Sequence, residues 1–349
     1  MDSSKIRFIQ RTLSEKEFFL VFDKSDIFYL IGKELDGINL LIAKHGKPYF
    51  LVSPMLEGQV RQFFKKANVI VGNNLLLQLK SVVPKGRKIL VQKNLSLSLF
   101  RLLLKKYSVE TNDLLSELRK IKTESEIKKI KLASKITTKV LSEVVREIKI
   151  GMTEQEVKKN ILKKFLDYDV VPSFDPIVAF DENTAYPHHI SGKKEFGIKS
   201  FVLIDLGCKV NGYCSDITRM FFVEKNDVVN YYYKKLFELQ KKLISMCVVG
   251  KKVADIDTFA KKFCKDLNIE KNYLHTSGHG VGIEIHESPR ISVKDKTILK
   301  SGMVITIEPG IYFAGQLASG MKQFVVKKFG LRIEDVVLIT KNGPQILSR

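Results

Sequence analysis

Residues 201–219 read FVLIDLGCKVNGYCSDITR, with Asp205, Asn211, Gly212 and Asp216 as the informative positions. Two apolar runs flank Asn211-Gly212, a pair that favours a two-residue hairpin turn because both central positions of that turn take positive φ. A turn there makes Val210 face Tyr213 and Asp205 face Thr218. Asp216 lies two residues from Thr218, so the two aspartates share a face as diagonal neighbours, roughly 7–8 Å apart. Two short carboxylates at that spacing can grip a pair of cations. A one-residue slip would destroy the arrangement, so the hairpin register and the chemistry stand together.

Two later stretches add acids to apolar, strand-like runs. Residues 302–310 read GMVITIEPG, whose strand-like run ends on Glu308; residues 331–339 read LRIEDVVLI and contain Arg332 and Glu334, which share a strand face by the period of two. Four carboxylates in one place repel unless cations neutralise them, and two divalent ions supply the matching charge. The histidines cluster as well. Five of the six fall in two stretches, His188 and His189 in one, His275, His279 and His286 in the other, while His45 sits alone in a turn. Residues 277–287, SGHGVGIEIHE, lack HExxH, and their glycines at 278, 280 and 282 do not match GxGxxG. Alternate glycines clear one side of an extended segment for a close approach to its backbone.

The 349 residues suffice for two domains. Hydrophobic content of 44% with 28% charged residues describes a soluble globular chain, and no apolar run is long enough to span a membrane. The N-terminal MDSSKIRFIQ has no signal-peptide core, and the four cysteines (Cys208, Cys214, Cys247, Cys264) have no CxxC spacing. Together these give the expectation of a cytoplasmic protein with reduced thiols. The net charge of +21 is spread along the chain, 19 basic against 10 acidic residues in 1–115 and 40 against 28 in 116–349, mostly as lysine. That pattern reads as a solvated lysine surface rather than a nucleic-acid site, where arginines and aromatics gather on one face.

Residues 1–115 read as an α/β unit, with strands at 38–43 and 48–53 joined as a hairpin, further strands at 67–72 and 88–92, and a helix at 96–106. Residues 116–349 read as two similar halves. Thr123 with Glu126 and Thr153 with Glu156 form capping boxes that start two helices around Gly151. A helix through Phe237 and Leu243, then Gly250, then a helix from about Ala254 to Asp266 repeats that order 99 residues later. A site at the junction of two halves is a common arrangement.

Five stretches now resemble the successive motifs of one family: SFDPIVAFDENTAYPHH (173–189), IDLGCKVNGYCSDITR (204–219), HTSGHGVGIEIHESPR (275–290), GMVITIEPGIYF (302–313) and LRIEDVVLIT (331–340). They are similar to those of the Xaa-Pro peptidases, the prolidase and aminopeptidase P branch of the pita-bread dinuclear metallopeptidases. The resemblance implies an α+β chain. Its C-terminal pita-bread domain, with pseudo-twofold halves, spans 116–349 and follows an N-terminal α/β creatinase-type domain at 1–115. It implies Asp205, Asp216, His279, Glu308 and Glu334 as ligands of two divalent ions, Mn²⁺ foremost and Co²⁺, Fe²⁺ or Zn²⁺ also admissible. On the same basis Glu308 shuttles a proton, His286 meets the developing tetrahedral centre, His188 reaches the scissile peptide and His275 lines the proline pocket. Arg290 resembles an anchor for a substrate carboxylate; Arg332 is a second candidate, though its place within LRIED reads rather as a brace for the site. The glycines around His279 would clear space for metal and substrate, and His189 is left as a neighbour.

The implied reaction is hydrolysis of the bond before proline, in Xaa-Pro dipeptides or at the N-terminus of longer peptides, by a hydroxide shared between two metals. The implied partners are proline-containing peptides and a second copy of the chain, with no nucleic acid or membrane. The alternative is a pita-bread domain that binds peptide, histone or RNA without catalysis; such a domain should lack some of the five ligands, all of which are present here. The chain departs from the family between EPGIY and RIED: residues 313–330, FAGQLASGMKQFVVKKFG, replace a short Gly-Gly turn, as a lid, a dimer contact or an extended hairpin.

Overall fold

A computed structural model describes residues 2–198, 200–224, 226–315 and 328–349. The chain divides into two units, Met1–Leu118 and Arg119–Arg349. In the first, six strands form a mixed sheet in the order Asn68–Val71, Tyr49–Val52, Asn39–Ala43, Glu17–Val21, Lys88–Gln92, Ser108–Asn112. The hairpin read from the sequence is present, with Asn39 opposite Leu51 and Leu41 opposite Tyr49. The sequence reading omitted Glu17–Val21, which is a central strand, antiparallel to Asn39–Ala43 and parallel to Lys88–Gln92. Its sequence, EFFLV, runs into three buried residues without alternation, so period two gives no signal. Leu20, Leu41, Leu51, Leu79, Ile89 and Leu103 close the core between sheet and helices.

The second unit begins with the helix Glu124–Glu147, whose Thr123/Glu126 capping box is formed. A turn at Gly151 leads to the helix Glu154–Asp167, capped by Thr153 and Glu156. The helices Asp227–Ser245 and Val253–Asp266 repeat the order around Gly250. The repetition extends to the backbone. Gly151 and Gly250 have φ of 86° and 89°, conformations that glycine adopts without strain. The Gly151 N–H donates to the Phe196 carbonyl and the Gly250 N–H to the Leu299 carbonyl, each at 2.9 Å. Thr153 bridges Glu195 as Lys252 bridges Ile298.

The Asn211-Gly212 hairpin takes the expected register. Val210 faces Tyr213, and Thr218 faces Asp205. The strand Phe201–Leu206 lies between Ile217–Phe222 and Ile177–Phe180. In the second half, Val304–Ile307 pairs with Asp335–Thr340, and Gly310–Ala314 pairs with Lys328–Arg332. One expectation changes here. Residues 331–339 are not one strand: Lys328–Arg332 and Asp335–Thr340 belong to different sheets, and Glu334 sits in the break. Glu308 sits in the matching break between Ile307 and Gly310, and Asp216 between Cys214 and Ile217. Three of the four acids therefore occupy points where the chain leaves one strand for the next. Of the segment singled out at 313–330, the flanks Phe313–Ala314 and Lys328–Gly330 belong to the paired strands, and residues 316–327 lie outside the described residues.

Candidate metal centre

Register brings the acids together. Asp205 projects from its strand beside Thr218, and its Oδ2 receives the Arg332 guanidinium. Its Oδ1 is buried with no hydrogen-bond partner among the described residues. Asp216, His279 and Glu334 are all buried, and each offers a ligand atom within 4.8 Å of the others'. Thr218 Oγ1 donates to Glu334 Oε2 at 2.9 Å. His279 Nε2 lies 3.2 Å from Glu308 Oε1 and 3.6 Å from Asp216 Oδ2. Its other nitrogen, Nδ1, faces its neighbour's carbonyl, Gly280 O, at 3.0 Å. That carbonyl accepts only from a protonated Nδ1, so in the neutral ring Nε2 carries the lone pair, aimed between two carboxylates.

The electrostatics call for a cation. Burial, then the charges of Glu334, Asp205 and Glu308, push the Asp216 carboxyl well above its ordinary range. Burial, with Glu308 and Asp205, does the same to Glu334. Burial also raises Asp205, although Arg332 opposes it. For Glu308, burial is overcome by the hydrogen bond and charge of His279, helped by His275 and Arg332, and its pKa falls to about 2. A partnerless buried oxygen, an imidazole lone pair and crowded carboxylates form a hard, oxygen-rich donor set that suits a divalent ion. The residues present fit that group.

The remaining histidines surround these acids. His286 packs edge-on against His279, with ring centroids 4.3 Å apart. Partial burial and the neighbouring His279 lower its pKa. His275 uses both nitrogens: Nδ1 faces its neighbour's carbonyl, Thr276 O, at 2.9 Å and Nε2 takes the Tyr312 hydroxyl at 3.0 Å. His188 lies close enough for its charge to act on both His275 and His286. His189 instead turns to Glu154, 2.7 Å away.

The glycines are explained differently from the expectation. A Cβ on Gly280 would meet the Ser288 carbonyl at 2.4 Å, one on Gly282 the Glu287 carboxylate at 2.3 Å, and one on Gly278 the Thr306 carbonyl at 2.1 Å. The space they clear is taken by the protein's own chain, not by metal or substrate.

Against this geometry, the model of metallopeptidase family M24 matches residues 128–341. The chain belongs to metallopeptidase family M24. It is 39% identical over 241 residues to an Xaa-Pro dipeptidase of Pyrococcus furiosus, covering 68% of this chain and 66% of that one. It is 33% identical over 339 residues to an Xaa-Pro dipeptidase of Pyrococcus horikoshii, covering 95% and 92%. A solved prolidase from Thermococcus sibiricus superposes with a TM-score of 0.88 at 29% identity, covering 100% of this chain and 97% of that one. The α+β architecture with two like halves is the pita-bread fold, and the family's chemistry depends on divalent metal.

Two arginines of this M24 chain differ in setting. Arg332, a candidate for substrate contact, is 4% exposed and fully engaged within the protein. Its Nε donates to Thr218 Oγ1 at 3.0 Å and Nη1 to the Tyr312 hydroxyl at 2.7 Å and the Pro187 carbonyl at 3.2 Å, while Nη2 holds Asp205. That is the setting of a brace. Arg290 is exposed beside His286. The sequence reading did not find Tyr312, which links His275 to Arg332, nor Glu287, held by Arg119 at 2.6 Å and Lys122 at 2.7 Å. Tyr312 lies four residues after Glu308 in a strand-like run, a position with no spacing signal of its own.

Proposed function

We propose that this chain is an Xaa-Pro peptidase whose reaction is carried by the unit Arg119–Arg349. The observation that carries the proposal is the meeting of Asp205, Asp216, His279, Glu308 and Glu334, with the Asp205 Oδ1 lacking any partner among the described residues. Its relatives named as Xaa-Pro dipeptidases support the substrate class.

These five side chains would hold two divalent ions, Mn²⁺ foremost. Bound there, the ions would bring a water's pKa to about 7 and polarise the substrate carbonyl. The chain's own residues do the rest. Glu308 accepts the proton of the attacking water and passes it to the leaving nitrogen. His286 donates its N–H to the oxygen that gains charge. His188 holds the peptide across the bond to be cut. With both nitrogens of His275 engaged, only its ring faces remain for contact, which suits the apolar ring of proline. A dedicated pocket is needed because proline has no N–H to bind and a fixed φ. Arg290 is the group placed to meet a free substrate carboxylate, and Arg332 holds Asp205 in position.

The test is hydrolysis of Ala-Pro and Ala-Pro-Ala by protein stripped with a chelator and reloaded with Mn²⁺ or Co²⁺. Cleavage of the dipeptide alone makes it a dipeptidase with Arg290 as anchor. Release of alanine from the tripeptide makes it an aminopeptidase. No metal-dependent cleavage of either peptide overturns the reading.

A further inference from the structure

Glu154 opens its helix and is completely buried. Its carboxylate takes four donors, all from residues 180–192, the end of the strand Ile177–Phe180 and the loop after it. Oε1 accepts from the Phe180 N–H at 2.8 Å and Asn183 Nδ2 at 2.9 Å; Oε2 accepts from His189 Nε2 at 2.7 Å and the Gly192 N–H at 2.9 Å. The main chain adds two more ties, from the Glu154 N–H to the Lys194 carbonyl and from the Gln155 N–H to the Gly192 carbonyl, each at 3.0 Å. The opposite side of the loop is tied to the second half of the unit. Gly330 N–H donates to Thr184 Oγ1 at 2.8 Å, and Arg332 reaches the Pro187 carbonyl. A Cβ on Gly330 would stand 2.1 Å from the Thr184 carbonyl, so the two backbones are in close contact. His188 therefore sits between two fixed neighbours, Pro187 held through its carbonyl and His189 through its ring.

We propose that Glu154 and His189 are positioning residues for His188: the buried carboxylate clamps the loop, and the His189 ring fixes the residue next to the substrate-facing histidine. The inference rests on the reading of His188 as a substrate contact. A 0%-exposed carboxylate has no water to satisfy it, so its partners must come from the protein; here all four come from residues 180–192, and a segment bound at four points is held in place. The His189 side chain reaches from beside the turn at 187–188 to the helix terminus and adds a donor to the oxygen that Gly192 N–H also binds. A side chain acting by position alone affects the rate through the group it aims.

The experiment compares His189→Ala, His189→Gln, Glu154→Gln and His188→Ala, singly and with His188→Ala combined with His189→Ala, in the metal-loaded full chain. The readouts are kcat and KM on Ala-Pro, bound metal, and amide hydrogen exchange across residues 180–192. His189→Ala should lower kcat about 10- to 100-fold, the range a small displacement of a contact group produces. Bound metal and KM should stay close to those of the parent. His189→Gln keeps an N–H donor at similar reach and should restore most of the rate. The double variant should be no slower than His188→Ala alone, and exchange at Phe180 and Gly192 should quicken in Glu154→Gln. A loss from His189→Ala that persists in full on the His188→Ala background overturns the proposal, as does unchanged exchange at 180–192. If the parent chain cuts neither Ala-Pro nor Ala-Pro-Ala, the peptidase reading falls, while the exchange measurement still decides whether Glu154 clamps the loop.

Discussion

The two halves of the unit Arg119–Arg349 share a plan and differ in what they deliver. Each has two helices around a positive-φ glycine, followed by strands, and each buries a carboxylate of its second helix against a histidine-bearing loop. In the first half that carboxylate is Glu154, bonded partly through the side chains of Asn183 and His189. In the second it is Asp257, bonded to the Ser277 N–H at 3.2 Å, the Ser277 hydroxyl at 2.8 Å and the Val293 N–H at 3.0 Å. The first half delivers two aspartates from one hairpin. The second delivers His279, Glu308 and Glu334 from three separate segments. A repeated scaffold thus constrains backbone geometry far more tightly than it constrains the side chains placed on it.

The sharpest way to break the comparison is to remove one ligand from each half. Asp216→Ala and His279→Ala should each abolish metal-dependent Ala-Pro hydrolysis while leaving a folded chain, measured by activity beside circular dichroism. Activity surviving in one of the two would mean that a single half suffices. Next in size is Arg332→Ala, which removes the tie from the second half to Asp205. Breaking a buried ion pair by taking away one partner costs about 3–5 kcal/mol, so urea unfolding without metal should show a drop of that order. A change near zero would mean that Arg332 is not a brace.

Close approach gives a smaller, matched pair of effects. A Cβ on Gly207 in the first half would stand 1.9 Å from the Ser215 carbonyl, and one on Gly280 in the second 2.4 Å from the Ser288 carbonyl. Each alanine substitution should lower stability by about 1–3 kcal/mol, the usual cost of overpacking, and equal losses would confirm that both halves pack backbone on backbone at the site. The smallest effect concerns the thiols. Burial raises Cys208, and it pushes Cys214 in the first half and Cys247 and Cys264 in the second up to about 12. At pH 8 such thiols stay protonated, so the native chain should resist a thiol-specific colour reagent and release all four signals only in denaturant. Rapid labelling in the native state would show that one half opens locally.

How much was legible depended on range. The Asn211-Gly212 turn, the capping boxes at Thr123 and Thr153 and the aspartate register are set by interactions within a few residues, and period and turn chemistry expose them. The strand Glu17–Val21 was missed because its last three residues are buried in succession and leave no alternation to read. The break before Glu334 was missed because strand pairing with two different partners, not local propensity, ends the run at Arg332. His189 was set apart from His188 as a neighbour in the sequence, but its partner, Glu154, lies 35 residues away and only the fold brings it within reach.

The sequence by itself determined the hairpin that aligns Asp205 with Asp216, the repeated helix–glycine–helix order and the family's set of acids and histidines. Only the tertiary structure decided which glycines serve the chain's own packing, which groups Arg332 braces, and that Asp205 retains a buried oxygen with no partner among the described residues. The physical reason is that turns and caps are fixed by neighbours in the chain, whereas the desolvation and pairing of a buried charge depend on groups that only folding brings within 3 or 4 Å.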